Sequence, residues 1–159
     1  VCYRMTGLYD KALKYYRQLV EQSPDDLQLN YHTAICLAEA GDYEEAFRHL
    51  FKVDFLQPDS LKVWRAIAWY SFVAGKMDQA RKYYEKIIDK GPAAADYINL
   101  GHIDWLEGKM SDAVTDYRNA LSLCKDSSEF TALFAKDKNI LLAKGIDADS
   151  LPLMMDCVL

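Results

Sequence analysis

Apolar and polar positions along this chain fall into blocks that resemble one another. In "YDKALKYYRQLVEQSP", Tyr9 to Pro24, apolar residues return at helical spacing with charged residues between them, which predicts one amphipathic helix halted by a proline. Nearly the same arrangement returns as "YEEAFRHLFKVDFLQP" and again as "MDQARKYYEKIIDKGP". A different kind of segment lies between them. "VWRAIAWYSFVA" carries Arg65 as its only charge, and a helix that is apolar around most of its circumference is buried on more than one side.

The blocks keep a period. Gly7, Gly41, Gly75 and Gly108 are separated by 34, 34 and 33 residues. Five residues after each glycine stands Ala12, Ala46, Ala80 or Ala113, and nine after it stands Tyr16, Leu50, Tyr84 or Tyr117. Pro24, Pro58 and Pro92 close the first three units. Glycine gives the backbone freedom to end one helix and turn into the next, and Asp42, Asp78 and Ser111 are placed to satisfy amides at the new helix start. Alanine lets two helices approach, and the large residue four positions on fills the space beside that contact. Each unit is therefore a helix, a tight turn and a second helix.

With Trp64, Ile67 and Ala68 in the first helix of one unit, and Tyr97, Leu100 and Gly101 in the next, the sequence resembles a tetratricopeptide repeat array over roughly residues 1 to 124. Asn30, Thr33 and Ala34 match the same slots less well, Asp104 occupies a usually bulky one, and Lys125 stands where a last proline belongs. The resemblance implies an all-α fold, a right-handed α-solenoid of helix-turn-helix repeats, with the first repeat truncated. Residues 125–159 then form a C-terminal capping helix, "EFTALFAKDKNILLAKG", and a short tail helix signalled by Ser150 and Pro152.

In the resembled family, ligands lie in a groove lined by first helices. The matching positions include Tyr31, Ile35, Lys62, Arg65, Trp69, Phe72, Ile98, His102 and Trp105. Trp69, Phe72 and Trp105 would anchor an apolar or aromatic peptide segment, Tyr31, Ile35, Ile98 and His102 would extend the contact, and Lys62 with Arg65 would orient it. If Tyr31, Trp69, Phe72 and Trp105 were all uncovered they would present about 600 to 1000 Å², more than soluble monomers usually leave bare. Three covers are open: a partner peptide, the chain's own tail or a second copy paired through it, and mutual packing as ordinary core. A variant of the family grips a C-terminal carboxylate with lysine, asparagine and arginine. The corresponding positions here hold Tyr31, Ile35, Ala66, Ala95 and Asn99, which do not supply that grip.

Charge narrows the partner. Net charge is −5, with signs alternating along the helices, which argues against nucleic acid. No apolar run approaches the ~20 residues that span a bilayer. Cys2, Cys36, Cys124 and Cys157 form no C-x-x-C pair, and isolated thiols fit a cytoplasmic setting. His32 and Cys36 lie one turn apart but lack further metal ligands, His49 falls on a charged face, and His102 lacks an acid-base partner in sequence. Glu44 with Glu45, Asp25 with Asp26 and Asp147 with Asp149 are acidic pairs of the kind helix starts favour. No cofactor, metal or catalytic motif is expected, and the chain reads as a non-enzymatic protein-protein interaction module or scaffold. The alternatives are a dedicated chaperone for a secreted or aggregation-prone cargo, and the structural C-terminal part of a longer repeat protein, since Val1 begins in mid-pattern.

Overall fold

A computed structural model describes residues 9–159 as helices joined by short turns, with no strand among them. Gly7 and Cys2 lie outside the described residues. The chain divides into two compact units, Val1–Ala74 and Gly75–Leu159.

The first unit contains α1 (Tyr9–Gln22), α2 (Leu27–Glu39), α3 (Tyr43–Leu56) and α4 (Leu61–Val73). Side-chain oxygens start three of these helices: Asp26 accepts from Leu29 N–H at 2.8 Å, Asp42 from Glu45 N–H at 3.2 Å, and Ser60 from Val63 N–H at 3.5 Å. The α2–α3 turn closes through Gly41 at φ +90, with Asp42 N–H reaching back to the Leu37 carbonyl at 2.9 Å. Ala46 and Leu50 are fully buried, as the period requires. Asn30, a weak match to its slot, is buried for a polar reason. Its amide donates to the carbonyls of Pro24 and Asp26, both at 2.8 Å, and its Oδ1 lies 2.8 Å from His49 Nδ1. His49 is thus held against α2 rather than solvated, and burial pushes its pKa down. Trp64 anchors α4 by donating its Nε1–H to Asp54 at 2.7 Å.

The second unit contains α5 (Met77–Lys90), α6 (Ala94–Leu106), α7 (Met110–Ser122), α8 (Ser127–Ala135), α9 (Lys138–Ala143) and α10 (Ser150–Val158). Helices α5 and α7 begin at Lys76 and Lys109 without a side-chain cap. Asp78 and Ser111 therefore stand inside the first turn, a correction to the capping expected of them, because each of these helices starts two residues earlier than a cap at that position allows. The expected single helix over "EFTALFAKDKNILLAKG" is two, α8 and α9. Their junction closes in three-residue steps, Lys136 N–H to Leu133 and Asp137 N–H to Phe134, which turns Asp137 toward α6. Phe130, Phe134, Leu141, Leu151, Met154 and Val158 share one core with Ile98, Trp105, Ala113 and Tyr117. The segment after residue 124 is thereby continuous in packing with α6 and α7.

Asp104, in the usually bulky slot, is buried and accepts from Arg81 of α5 at 2.5 Å, while Arg81 also reaches Glu107 at 2.7 Å. Asp116 of α7 hydrogen-bonds Asp104. Burial first, then that bond and the charge of Asp104, push the Asp116 carboxyl up to about 7 from 3.8.

Two outcomes follow. A methyl at Gly101 would stand 2.7 Å from a ring carbon of Tyr117, which is itself fully buried, so Gly101→Ala should destabilise the unit by about 1–3 kcal/mol in a denaturant melt despite its gain in helix propensity. Asp116 binds its proton more tightly folded than unfolded, so its contribution is complete below pH 3.8, declines as pH rises, and is gone above about 7. Thermal melts across that window should fall less steeply with pH for Asp116→Asn than for the parent. Parallel slopes would refute the assignment.

Candidate functional site

Within the first unit, the facing sides of α2 and α4 enclose an open cavity of about 430 Å³ lined by Tyr31, Ile35, Lys62, Arg65, Ala66, Trp69 and Tyr70. Helical spacing explains the lining. Tyr31 and Ile35 are one turn apart on α2, and Lys62, Arg65 and Trp69 follow at steps of three and four on α4. The Lys62 ammonium sits 4.2 Å from the centre of the Tyr31 ring, a cation–π contact that holds both side chains at the cavity wall. Trp69 packs against Phe72 with ring centres 5.8 Å apart. Tyr70 donates its hydroxyl to Glu39 at 2.7 Å, closing the far end. A smaller recess of about 70 Å³, lined in part by Leu27, Gln28, Gln57 and Ser60, shares Tyr31 and Lys62 with the first.

Five of the nine positions read from the sequence thus meet at one cavity: Tyr31, Ile35, Lys62, Arg65 and Trp69. Sequence spacing overlooked Ala66 and Tyr70 as lining residues. Their signal was present, since each directly follows a lining residue on α4 and the two are themselves one turn apart.

The other four positions are buried, which corrects their expected role as ligand contacts. Phe72 is fully buried, supporting Trp69 from within. Ile98, His102 and Trp105 lie on α6 in the second unit, where α8 and its neighbours cover them. Trp105 stacks on Phe134 with ring centres 6.5 Å apart. His102 Nδ1 lies 2.7 Å from the Tyr117 hydroxyl and its Nε2 lies 3.3 Å from an Asp137 carboxylate oxygen. Burial lowers the His102 pKa against the opposing pull of Asp137, so the ring is neutral at neutral pH and its hydrogen-bonding capacity is spent internally. It is a core histidine.

His32, beside the cavity, stacks on Tyr16 at 6.4 Å and meets Tyr31 edge-on at 5.7 Å. Burial, and then the charge of Lys62, lower its pKa. Its neighbour Cys36 is fully buried and disulfide-bonded, whereas Cys124 and Cys157 are free thiols. Spacing left pairing of the four cysteines open, and the disulfide at Cys36 departs from the isolated thiols on which a cytoplasmic setting was inferred. Among the described residues no group of three or more His, Cys, Asp or Glu side chains is arranged to hold a metal ion, and no helix is long and apolar enough to cross a membrane.

Sequence profiles of the tetratricopeptide repeat match residues 4–70, 64–92 and 97–127. Human tetratricopeptide repeat protein 13 is 25% identical over 126 residues, 76% of this chain and 15% of that protein. Tetratricopeptide repeat-containing protein trd-1 of Caenorhabditis elegans is 24% identical over 130 residues, 80% of this chain and 16% of its own length. The chain spans about a sixth of these curated relatives. Among solved structures, MamA from Desulfovibrio magneticus RS-1 superposes with a TM-score of 0.70 at 19% identity, covering 95% of this chain and 86% of that one, a likeness of fold. The glycine period, the alanine contacts between paired helices and the three consecutive profile matches have one common source: the chain belongs to the tetratricopeptide repeat family, with its all-α solenoid fold.

Proposed function

We propose that this protein-interaction scaffold receives an extended segment of a partner protein in the groove between α2 and α4. One observation carries the reading: the cavity of about 430 Å³ combines two aromatic walls with two cations and has no carboxylate among its lining residues. Trp69 and Ile35 offer apolar surface to an aliphatic or aromatic side chain, the kind of pocket in which binding energy concentrates. Lys62 and Arg65 favour a carboxylate on the same segment and set its direction. The preferred ligand is therefore a short motif that places an acidic residue beside a bulky apolar one.

Selection from a library of fluorescent dodecapeptides, followed by anisotropy titration, tests this. Trp69→Ala should weaken the selected peptide by at least about 30-fold, the scale of a 2 kcal/mol hot spot, without loss of helical circular dichroism. Lys62→Glu should select against acidic peptides. If the selected peptides bind the Trp69→Ala chain as tightly as the parent, the groove is not the docking site.

A further inference from the structure

The repeats supply their own control for a second surface. Helices α1, α3, α5 and α7 occupy equivalent places, at offsets of 34, 34 and 33 residues. At one exposed position the four carry Arg17, Phe51, Glu85 and Arg118, and at the position one turn later Glu21, Phe55, Asp89 and Ser122. Three repeats place polar side chains there. Only the second places aromatics, and Phe55 is 83% exposed, Phe51 39% and the adjacent Leu56 42%. Phe51 also stacks on Phe47 of its own helix with ring centres 5.9 Å apart, but the fold accepts charge at both sites in its other repeats, so the repeat pattern does not require the largely exposed Phe55.

We infer that the exposed face of α3 is a second docking surface, which takes an amphipathic helix of a partner protein bearing two aliphatic side chains one turn apart and an acidic residue one turn beyond. Phe51 and Phe55 lie four residues apart, about 6 Å along the axis, and exposed Arg48 lies about 4.5 Å before Phe51 on the same stripe. Among the described residues no carboxylate is in ion-pair contact with Arg48. A partner carboxylate completes it.

A second copy of the chain fits this stripe poorly. In an antiparallel pairing of two α3 helices, the register that sets Glu44 against Arg48 leaves both phenylalanines overhanging, and the register that stacks the phenylalanines sets Arg48 near Pro58. The two rings expose together roughly 200–300 Å², well below the ~800 Å² per partner of a stable dimer but suited to one short helix.

The probe is a fluorescein-labelled, alanine-based helical peptide with leucines at positions i and i+4 and glutamate at i+7, compared with the same peptide carrying lysine at i+7. The glutamate peptide should bind at least about tenfold more tightly than the lysine peptide, and Arg48→Glu should reverse that order. Phe55→Asp introduces the residue type of the third repeat at the 83% exposed position, so it should keep the parent melting temperature while losing the peptide. Trp69→Ala should leave this probe unaffected, which separates the surface from the groove. The inference is overturned if the two peptides bind alike, if the Phe55→Asp chain still binds or melts early, or if sedimentation shows a dimer that Phe55→Asp dissolves.

Discussion

The close contact of two helices at a small residue governs this molecule. Ala46, Ala80 and Ala113 are each fully buried, with Leu50, Tyr84 and Tyr117 packed one turn on. Gly101 takes the same idea to its limit, because the Tyr117 ring lies where a β-carbon would be. Once helices meet this closely, the rest follows. The turn between them must be short, so glycines adopt positive φ at Gly41, Gly75 and Gly108, and the remaining apolar surface must be buried against the next helix pair.

The backbone-dictated features were therefore plain in the sequence. The proline-terminated helices α1, α3 and α5 end at Gln22, Leu56 and Lys90, each two residues before its proline. Polar substitutions in the repeat pattern were harder to read because their partners are remote. Asp104 is accommodated by Arg81, 23 residues away, and Asn30 by His49, 19 residues away, and no local period encodes either pairing. The break between α8 and α9 has the same origin, since Asp137 finds its partner His102 35 residues back on α6.

The candidate site divides along that line. Tyr31, Ile35, Lys62, Arg65 and Trp69 were legible because spacing alone puts them on the facing sides of two first helices. The spacing of Ile98, His102 and Trp105 was equally good. What it lacked was information about α8, a helix outside the repeat, whose Phe130 and Phe134 cover α6. Register identifies a face, and only the neighbouring helix decides whether that face meets water.

The short span between α2 and α4 would also limit how much information a ligand of the proposed kind carries. Adjacent packed helices stand about 8–10 Å apart and an extended chain advances about 3.3–3.6 Å per residue, so a segment crossing from α2 to α4 would be gripped along only about two to three residues. A motif that brief arises and disappears readily in otherwise unrelated chains. A scaffold that reads so short a motif would exchange partners over evolutionary time by single substitutions in the partner, while its own core, fixed by the alanine and glycine contacts, stayed the same.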